Sequence, residues 1–341
     1  MRFHASWRET TAVLGRAVLI VAGCCAGFAN SAAAQTAFHV VETVALGAPD
    51  KWDYLSYDGP SRRVFLAHDS EITVLDGASG AIVGRVEGLV KAHGVAFVSR
   101  LQRGYATNDG RVTVFDLAIL RPLAEITTDV GADSIVYDST SNRLFVMNGK
   151  GHTVTAIDPD LNTATKTIDV GGKPEFAAAD GQGALFVNVE NTGEIIRLDT
   201  RAIAVTARWA IPGCEAPHGL ALDHEEHRLF ASCANARMAV VDAGSGAVLA
   251  LLPIGKGSDA VLFDPERKIA FSSNGDATLS MIGAGEKGDW IVYPPVATVP
   301  GARTMAQDRR TGRIFLVAGD VGTTPSSIVA GSLKLLILDP L

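Results

Sequence analysis

Seven ionisable residues recur along the chain at nearly constant spacing, and each opens an apolar segment. They are Asp53, His93, Asp133, Glu175, His218, Asp259 and Arg303, at intervals of 40, 40, 42, 43, 41 and 44 residues. Brought together, four carboxylates, two imidazoles and one guanidinium would bind a charged ligand or a hard cation such as Ca²⁺ or Mg²⁺, or supply a general base. We call these seven residues the collar and regard them as the candidate ligand-binding site.

The collar carboxylates Asp133, Glu175 and Asp259 are candidate metal ligands, because oxygen donors suit Ca²⁺ and Mg²⁺. Zinc on both His93 and His218 is disfavoured, since the two lie three repeats apart and zinc needs each nitrogen within about 2.0–2.1 Å. The alternative is structural, because polar residues at strand starts satisfy local backbone groups. The sequence contains no G-x-S-x-G, phosphate-binding loop or C-x-x-C-H motif. We therefore assign no catalytic residue; in an enzyme, His218 and His93 would be the candidates.

A repeated element must position the collar. In seven copies, an apolar strand with an aromatic residue is followed by a polar turn and a further apolar strand, which in most copies ends in Asp. The aromatic position is occupied by Phe65, Tyr105, Phe145, Phe186, Phe230, Ala270 and Phe315. A period of about 40–45 residues with several short strands is typical of a propeller blade. The sequence predicts a seven-bladed, all-β propeller of four-stranded blades, starting near residues 53, 93, 133, 175, 218, 259 and 303.

The two ends of the repeat region predict how the ring closes. The last copy stops at Leu341 without an outer strand, whereas residues 38–46 alternate like a strand that has no partner of its own. We predict that residues 38–46 complete blade seven, because a closed ring leaves no exposed sheet edges. Innermost strands line the channel of a propeller, so the collar should surround one channel mouth.

The N-terminal 34 residues predict export. Three arginines precede a short apolar run at 17–23, and small residues suited to signal-peptidase cleavage end at Ala34. The run is too short to span a membrane, which takes about 20 apolar residues. An alternative is lipid attachment at Cys24, in the stretch VAGC. We predict a signal peptide at 1–34 and one domain at 35–341, periplasmic or secreted, with no transmembrane segment.

Cysteine usage and charge limit the partners. Signal removal leaves Cys214 and Cys233, and two thiols in an oxidising compartment favour a disulfide. Their spacing matches no paired zinc motif, and a bridge would fix the loop that carries His218. The net charge of −7 argues against a nucleic-acid partner. We expect a monomer whose partner is an unidentified small molecule or protein.

The repeat resembles a known family. The copies SNRLFVMN…VTAID from Ser141 and EHRLFASC…MAVVD from Glu226 are similar to the YVTN-type β-propeller repeat of exported, YncE-like bacterial proteins. The resemblance covers essentially the whole mature chain and implies a seven-bladed, exported propeller. It rests on the repeat pattern, since FLAH, YATN and FVMN replace the literal tetrapeptide. It implies no activity, because propellers bind, scaffold and catalyse alike.

These observations favour a non-catalytic propeller that binds a small molecule, cation or protein partner at the collar. One alternative is a metal-assisted lyase or lactonase. The stretch APHGLALD resembles the P-H-G blade starts of streptogramin lyases, which implies His218 as general base and Glu175 or Asp259 as cation ligand. A second alternative is a protein-interaction scaffold, which predicts a broad exposed apolar patch.

Overall fold

The structure is a computed structural model that describes residues 38–47, 51–285, 288–322 and 327–341. The predicted signal peptide and the alternative lipid site at Cys24 lie outside these residues. Two short 3-10 helices, Ser99–Leu101 and Glu190–Thr192, are the only helices among the described residues. No described helix is long and apolar enough to cross a membrane.

Twenty-seven β-strands make up the described chain. The first fifteen are β1 (Phe38–Gly47), β2 (Leu55–Asp58), β3 (Arg63–Asp76), β4 (Ile82–Val98), β5 (Arg103–Asn108), β6 (Arg111–Asp116), β7 (Pro122–Thr127), β8 (Ala132–Asp138), β9 (Arg143–Asn148), β10 (Thr153–Asp158), β11 (Thr163–Asp169), β12 (Pro174–Ala179), β13 (Ala184–Val189), β14 (Glu194–Asp199) and β15 (Ala204–Ala210). The others are β16 (Pro217–Asp223), β17 (Arg228–Cys233), β18 (Arg237–Asp242), β19 (Val248–Pro253), β20 (Ser258–Asp264), β21 (Ile269–Asn274), β22 (Asp276–Ala284), β23 (Trp290–Val292), β24 (Val296–Pro300), β25 (Thr304–Gln307), β26 (Ile314–Ala318) and β27 (Leu333–Pro340).

These strands pair antiparallel in six sheets arranged as an all-β propeller. The sheet orders are β2-β3-β4-β5-β6-β7, β11-β10-β9-β8, β12-β13-β14-β15, β16-β17-β18-β19, β20-β21-β22-β23 with β24 on β22, and β1-β27-β26-β25. The innermost strands contact one another in succession, and β25 contacts β2. Thr304 Oγ1 donates a hydrogen bond of 2.9 Å to the carbonyl of Asp53, so the last sheet meets the first.

The prediction of seven four-stranded blades is wrong, because the structure forms six sheets. Residues expected as blades one and two make a single six-stranded sheet. Its strands β3 and β4 bend rather than end: Asp69 and Lys91 adopt left-handed φ angles of 51° and 52°. The β3–β4 pairing is interrupted at this point, since Asp69 pairs with Ala92 whereas Glu71 pairs with Glu87, and β4 then continues into pairing with β5. A positive φ at single residues redirects a strand at such an irregularity.

The N-terminal strand lies in the same sheet as the C-terminal strand. β1 pairs antiparallel with β27, with Phe38 opposite Pro340 and Leu333 opposite Gly47. Phe38 is buried and meets Phe271 of the neighbouring sheet edge-to-face at 5.0 Å. The prediction that this strand completes a seventh blade is wrong, because the described residues form six sheets and no seventh.

Two repeated features explain why these segments form blades. All seven residues at the aromatic repeat position are buried between sheets, at 0–2% exposure. Five aspartates, each the last residue of its strand, accept backbone N–H groups two and three residues ahead, which forms tight turns. These aspartates are Asp76, Asp116, Asp158, Asp199 and Asp242.

Candidate ligand-binding site at the channel mouth

The seven predicted site residues lie at the same end of the innermost strands. Asp133, Glu175, His218 and Asp259 are the second residues of β8, β12, β16 and β20, and Arg303 immediately precedes β25. Asp53 lies just before β2, and His93 lies inside β4 where this strand passes from β3 to β5. The collar therefore forms at one mouth of the channel.

A β-bulge recurs at the collar position of the innermost strands. In β16, Pro217 pairs with Cys233 and Leu220 pairs with Ala231, so His218 and Gly219 together oppose a single residue. The same irregularity interrupts β4, β8, β12 and β20. Because bulges re-aim side chains, they turn the collar side chains away from the blade interfaces and toward the channel.

Hydrogen bonds from neighbouring strands fix the backbone of the collar. Six collar carbonyls accept a hydrogen bond from a residue of a neighbouring sequence repeat. The acceptor and donor pairs are Asp53 O with Thr304 Oγ1, His93 O with Tyr54 N, Asp133 O with Thr107 Oγ1, Glu175 O with Ser134 Oγ, His218 O with Asn188 Nδ2, and Arg303 O with Ser273 Oγ. The main chain is held independently of which side chain each position carries.

Three collar residues form a first triad, Asp53, His93 and Asp133, whose potential ligand atoms lie within 4.8 Å of one another. His93 Nδ1 lies 2.5 Å from Asp53 Oδ2 and 3.9 Å from Asp133 Oδ1. Burial alone would lower the pKa of His93, but the hydrogen bond to Asp53 and the two carboxylate charges raise it. Burial and the charges of Asp53 and Glu175 raise the pKa of Asp133 to about 7. The His93 imidazole and the Asp53 carboxylate are therefore hydrogen-bonded to each other.

Glu175, His218 and Asp259 form a second triad, also within 4.8 Å. Its groups are less satisfied: Glu175 Oε2 and His218 Nδ1 are buried and form no hydrogen bond with the described residues. His218 Nδ1 lies 3.6 Å from Asp259 Oδ1, and the Asp259 carboxylate raises the pKa of His218. Glu175 is only 6% exposed, and this burial raises its pKa. In the second triad, one carboxylate oxygen and one ring nitrogen are therefore without a hydrogen bond, and the oxygen lies beside the Lys173 ammonium.

Two cations border the second triad. Arg303 Nε lies 3.2 Å from Asp259 Oδ2, and Lys173 Nζ lies 3.2 Å from Glu175 Oε2, outside hydrogen-bond geometry. Lys173 forms its closest contact with Glu190. Burial would lower the pKa of Lys173, but Glu190 and Glu175 raise it. Sequence reasoning did not assign Lys173 or Glu190 to the site, although Lys173, like Lys51 and Lys91, stands two residues before a collar residue.

An aromatic pair forms the floor of the collar. Tyr54 and Phe176, each directly after a collar residue, meet edge-to-face with ring centroids 4.8 Å apart. Burial, and then the charges of Asp133, Glu175 and the other two collar carboxylates, raise the pKa of Tyr54 well above its ordinary value. The four collar carboxylates therefore disfavour ionisation of the Tyr54 hydroxyl together. Sequence reasoning missed this pair, although both aromatic residues follow acidic blade starts.

The predicted disulfide between Cys214 and Cys233 is confirmed. The two Cα atoms lie 5.2 Å apart, and both residues are buried. Cys233 ends β17 opposite Pro217, and Cys214 lies in the loop that leads into β16. The bridge therefore anchors the segment that carries His218.

The comparisons with known proteins show the fold alone. No family model and no curated protein matches the sequence. The chain is similar to the solved structure described as "Structure of U3-55K", with a TM-score of 0.74 and 12% identity over 90% of this chain and 99% of that chain. It is also similar to "Kuenenia stuttgartiensis Hydrazine Synthase", with a TM-score of 0.69 and 12% identity over 80% of this chain and 95% of that chain. At such identities the β-propeller fold is shared, and no function follows.

Proposed function

We propose that this protein is a ligand-binding propeller whose collar binds a divalent cation in the second triad. The observation that carries the proposal is a cluster of Glu175, His218 and Asp259 in which a buried carboxylate oxygen and a buried ring nitrogen have no hydrogen-bond partner among the described residues. Buried polar atoms without partners are costly. A cation would satisfy both atoms at once.

The second triad is favoured over the first because of how each is paired. His93 Nδ1 is engaged by Asp53 at 2.5 Å, so a cation there would have to break that contact. In the second triad, His218 Nδ1 has no such partner. Lys173 and Arg303 offset part of the negative charge, but each contacts only one of the triad carboxylates, and His218 Nδ1 forms no hydrogen bond with either.

The donor set favours a metal ion that accepts both nitrogen and oxygen. Ca²⁺ and Mg²⁺ prefer oxygen ligands alone, whereas Mn²⁺ and Zn²⁺ accept imidazole together with carboxylates. One histidine with two carboxylates therefore favours Mn²⁺ or Zn²⁺ over the Ca²⁺ or Mg²⁺ expected from the carboxylates alone.

We also propose that the protein is an exported, monomeric member of the YVTN-type propeller family. The seven-copy sequence pattern and the N-terminal segment support this assignment. The disulfide is compatible with it, because disulfides persist in oxidising compartments. Mass spectrometry of the protein recovered from the periplasm or medium tests export: a mature N-terminus at Gln35 supports it, whereas an intact N-terminus contradicts it.

Calorimetric titration of the chelator-treated protein with Mn²⁺, Zn²⁺, Mg²⁺ and Ca²⁺ tests the cation site. We expect one Mn²⁺ or Zn²⁺ per chain and weaker Mg²⁺ and Ca²⁺ binding. Glu175→Gln and His218→Gln should each lower the affinity more than about tenfold, because even the loss of an outer-shell partner of a metal ligand costs that much.

The matched control is His68→Gln, which removes a histidine that lies 3.4 Å from a single glutamate, Glu71, outside both triads. This variant should bind the ion like the wild type. Binding of none of the four ions, or binding unchanged in both triad variants, contradicts the proposal. Loss of binding in Asp53→Asn but not in Glu175→Gln would assign the site to the first triad instead.

A second candidate function is metal-assisted lyase or lactonase catalysis. It is favoured by His218 Nδ1, which lies in the collar without a hydrogen-bond partner among the described residues and is placed to act as a general base beside a cation held by Glu175 and Asp259. Turnover of a panel of lactones and esters, lost in His218→Gln, would support this candidate. Absence of turnover with a bound metal ion would leave the binding function.

A further inference from the structure

Below the collar, the channel contains a cavity of about 240 Å³. Its wall includes the apolar residues Val95, Ile135, Ala177, Val261, Met305 and Ala306, together with the polar residues Tyr57, Gln307 and Arg309. The hydroxyls of Ser56 and Ser134, which also line it, donate to backbone carbonyls of neighbouring strands. The apolar part of the wall therefore suits the apolar body of a guest that also carries a polar group.

The aromatic pair separates this cavity from the collar. Tyr54 and Phe176 line its upper end, and no collar side chain is among the described residues that line it. Tyr54 is 7% exposed. The aromatic pair therefore lies between the collar on one side and the cavity on the other. A guest in the cavity would be separated from any ion in the second triad.

The other end of the cavity is bordered by an unpaired cation. Arg309 lines the cavity, is exposed, and forms no hydrogen bond or ion pair with the described residues. The nearby Asp308 carboxylate is occupied, because it accepts hydrogen bonds from Thr311 Oγ1 and from the backbone of Arg310. The amide of Gln307 is bound to Asp264 at 2.8 Å. The available charge at this mouth is therefore positive.

We propose that this cavity binds a small amphipathic carboxylate, with its apolar body in the channel and its carboxylate on Arg309. A cavity of about 150 Å³ holds benzene, so about 240 Å³ suits a benzene ring with a short chain. Arginine binds carboxylates through two parallel hydrogen bonds, which a neutral or cationic head group would not provide. The site is separate from the proposed cation site.

Calorimetric titration of the protein with 3-phenylpropionate, 3-phenylpropanol and 3-phenylpropylamine tests the proposal, since the three probes share one apolar body. We expect 3-phenylpropionate to bind about tenfold more tightly than the amine, with the alcohol between them. Arg309→Gln should remove most of the preference for the carboxylate, whereas Arg309→Lys should retain part of it. Arg111→Gln, at an exposed arginine of β6, is the matched control and should behave like the wild type.

Two further measurements locate the probe. Ala306→Leu and Ala177→Leu each fill part of the cavity and should abolish binding of all three probes, provided the melting temperature shows a folded protein. Methyl NMR does not depend on these variants: 3-phenylpropionate should shift the Met305 methyl signal and leave that of Met147, buried in another cluster, unchanged. The proposal is overturned by equal affinity for the three probes, by no binding at millimolar concentration, or by an unshifted Met305.

Discussion

Removal of the disulfide gives the most direct test of how the collar is held. Cys214 and Cys233 are separated by 19 residues in sequence. In the chain-entropy model, a bridge closing a loop of this length stabilises the folded state by about 3 kcal/mol. Unfolding of about 300 residues carries an entropy near 0.6 kcal/mol/K, so the loss of the bridge corresponds to a melting temperature lower by about 5 °C.

The variant Cys214→Ala/Cys233→Ala is compared with the wild type by calorimetry, with and without dithiothreitol. We expect the variant to melt about 5 °C below the oxidised wild type. The reductant should lower the melting temperature of the wild type toward that of the variant and leave the variant unchanged. An equal reductant effect on both proteins, or a variant as stable as the oxidised wild type, would refute the reasoning.

Three further predictions concern stability, each measured by urea unfolding. Arg313 forms two hydrogen bonds with Asp339, at 2.6 and 2.7 Å, so Arg313→Ala should cost about 2 kcal/mol at pH 7. Because the pKa of Asp339 lies below its ordinary value, this contribution is fully present above about pH 4 and should shrink as the pH falls below about 4, through the lowered pKa; a constant difference would contradict the assignment. Phe145→Ala removes a fully buried ring and should cost about 3–5 kcal/mol, and a cost below 1 kcal/mol would contradict its role between the sheets. Glu175→Gln should leave the cation-free protein as stable or more stable at pH 8, because burial disfavours the charged carboxylate; marked destabilisation would show that its ion pair with Lys173 outweighs burial.

The collar could be predicted from the sequence because the nearly constant spacing of its residues puts them at equivalent positions of successive repeats. Six collar residues fall at or just before the start of an innermost strand, and His93 lies at the equivalent position inside β4, so antiparallel pairing places all seven at the same end. The disulfide was predictable for the same reason, since Cys214 and Cys233 flank one inner hairpin in positions that the repeat defines.

The sequence could not predict the features that depend on local backbone angles and on distances across the channel. The left-handed residues Asp69 and Lys91 carry two strands past the expected breaks, and these residue types also occur in ordinary turns. Division of the collar into two triads depends on distances between side chains of different sheets. The contact between Tyr54 and Phe176 likewise joins residues more than 120 positions apart.

The hydrogen bonds to the collar carbonyls have a consequence for how such a protein evolves. Because neighbouring repeats hold the main chain through its own oxygen atoms, a mutation at a collar position changes the chemistry offered to a ligand and leaves these main-chain hydrogen bonds in place. Ligand preference can then drift, or be redesigned by a combinatorial library at seven positions, while the scaffold keeps its stability.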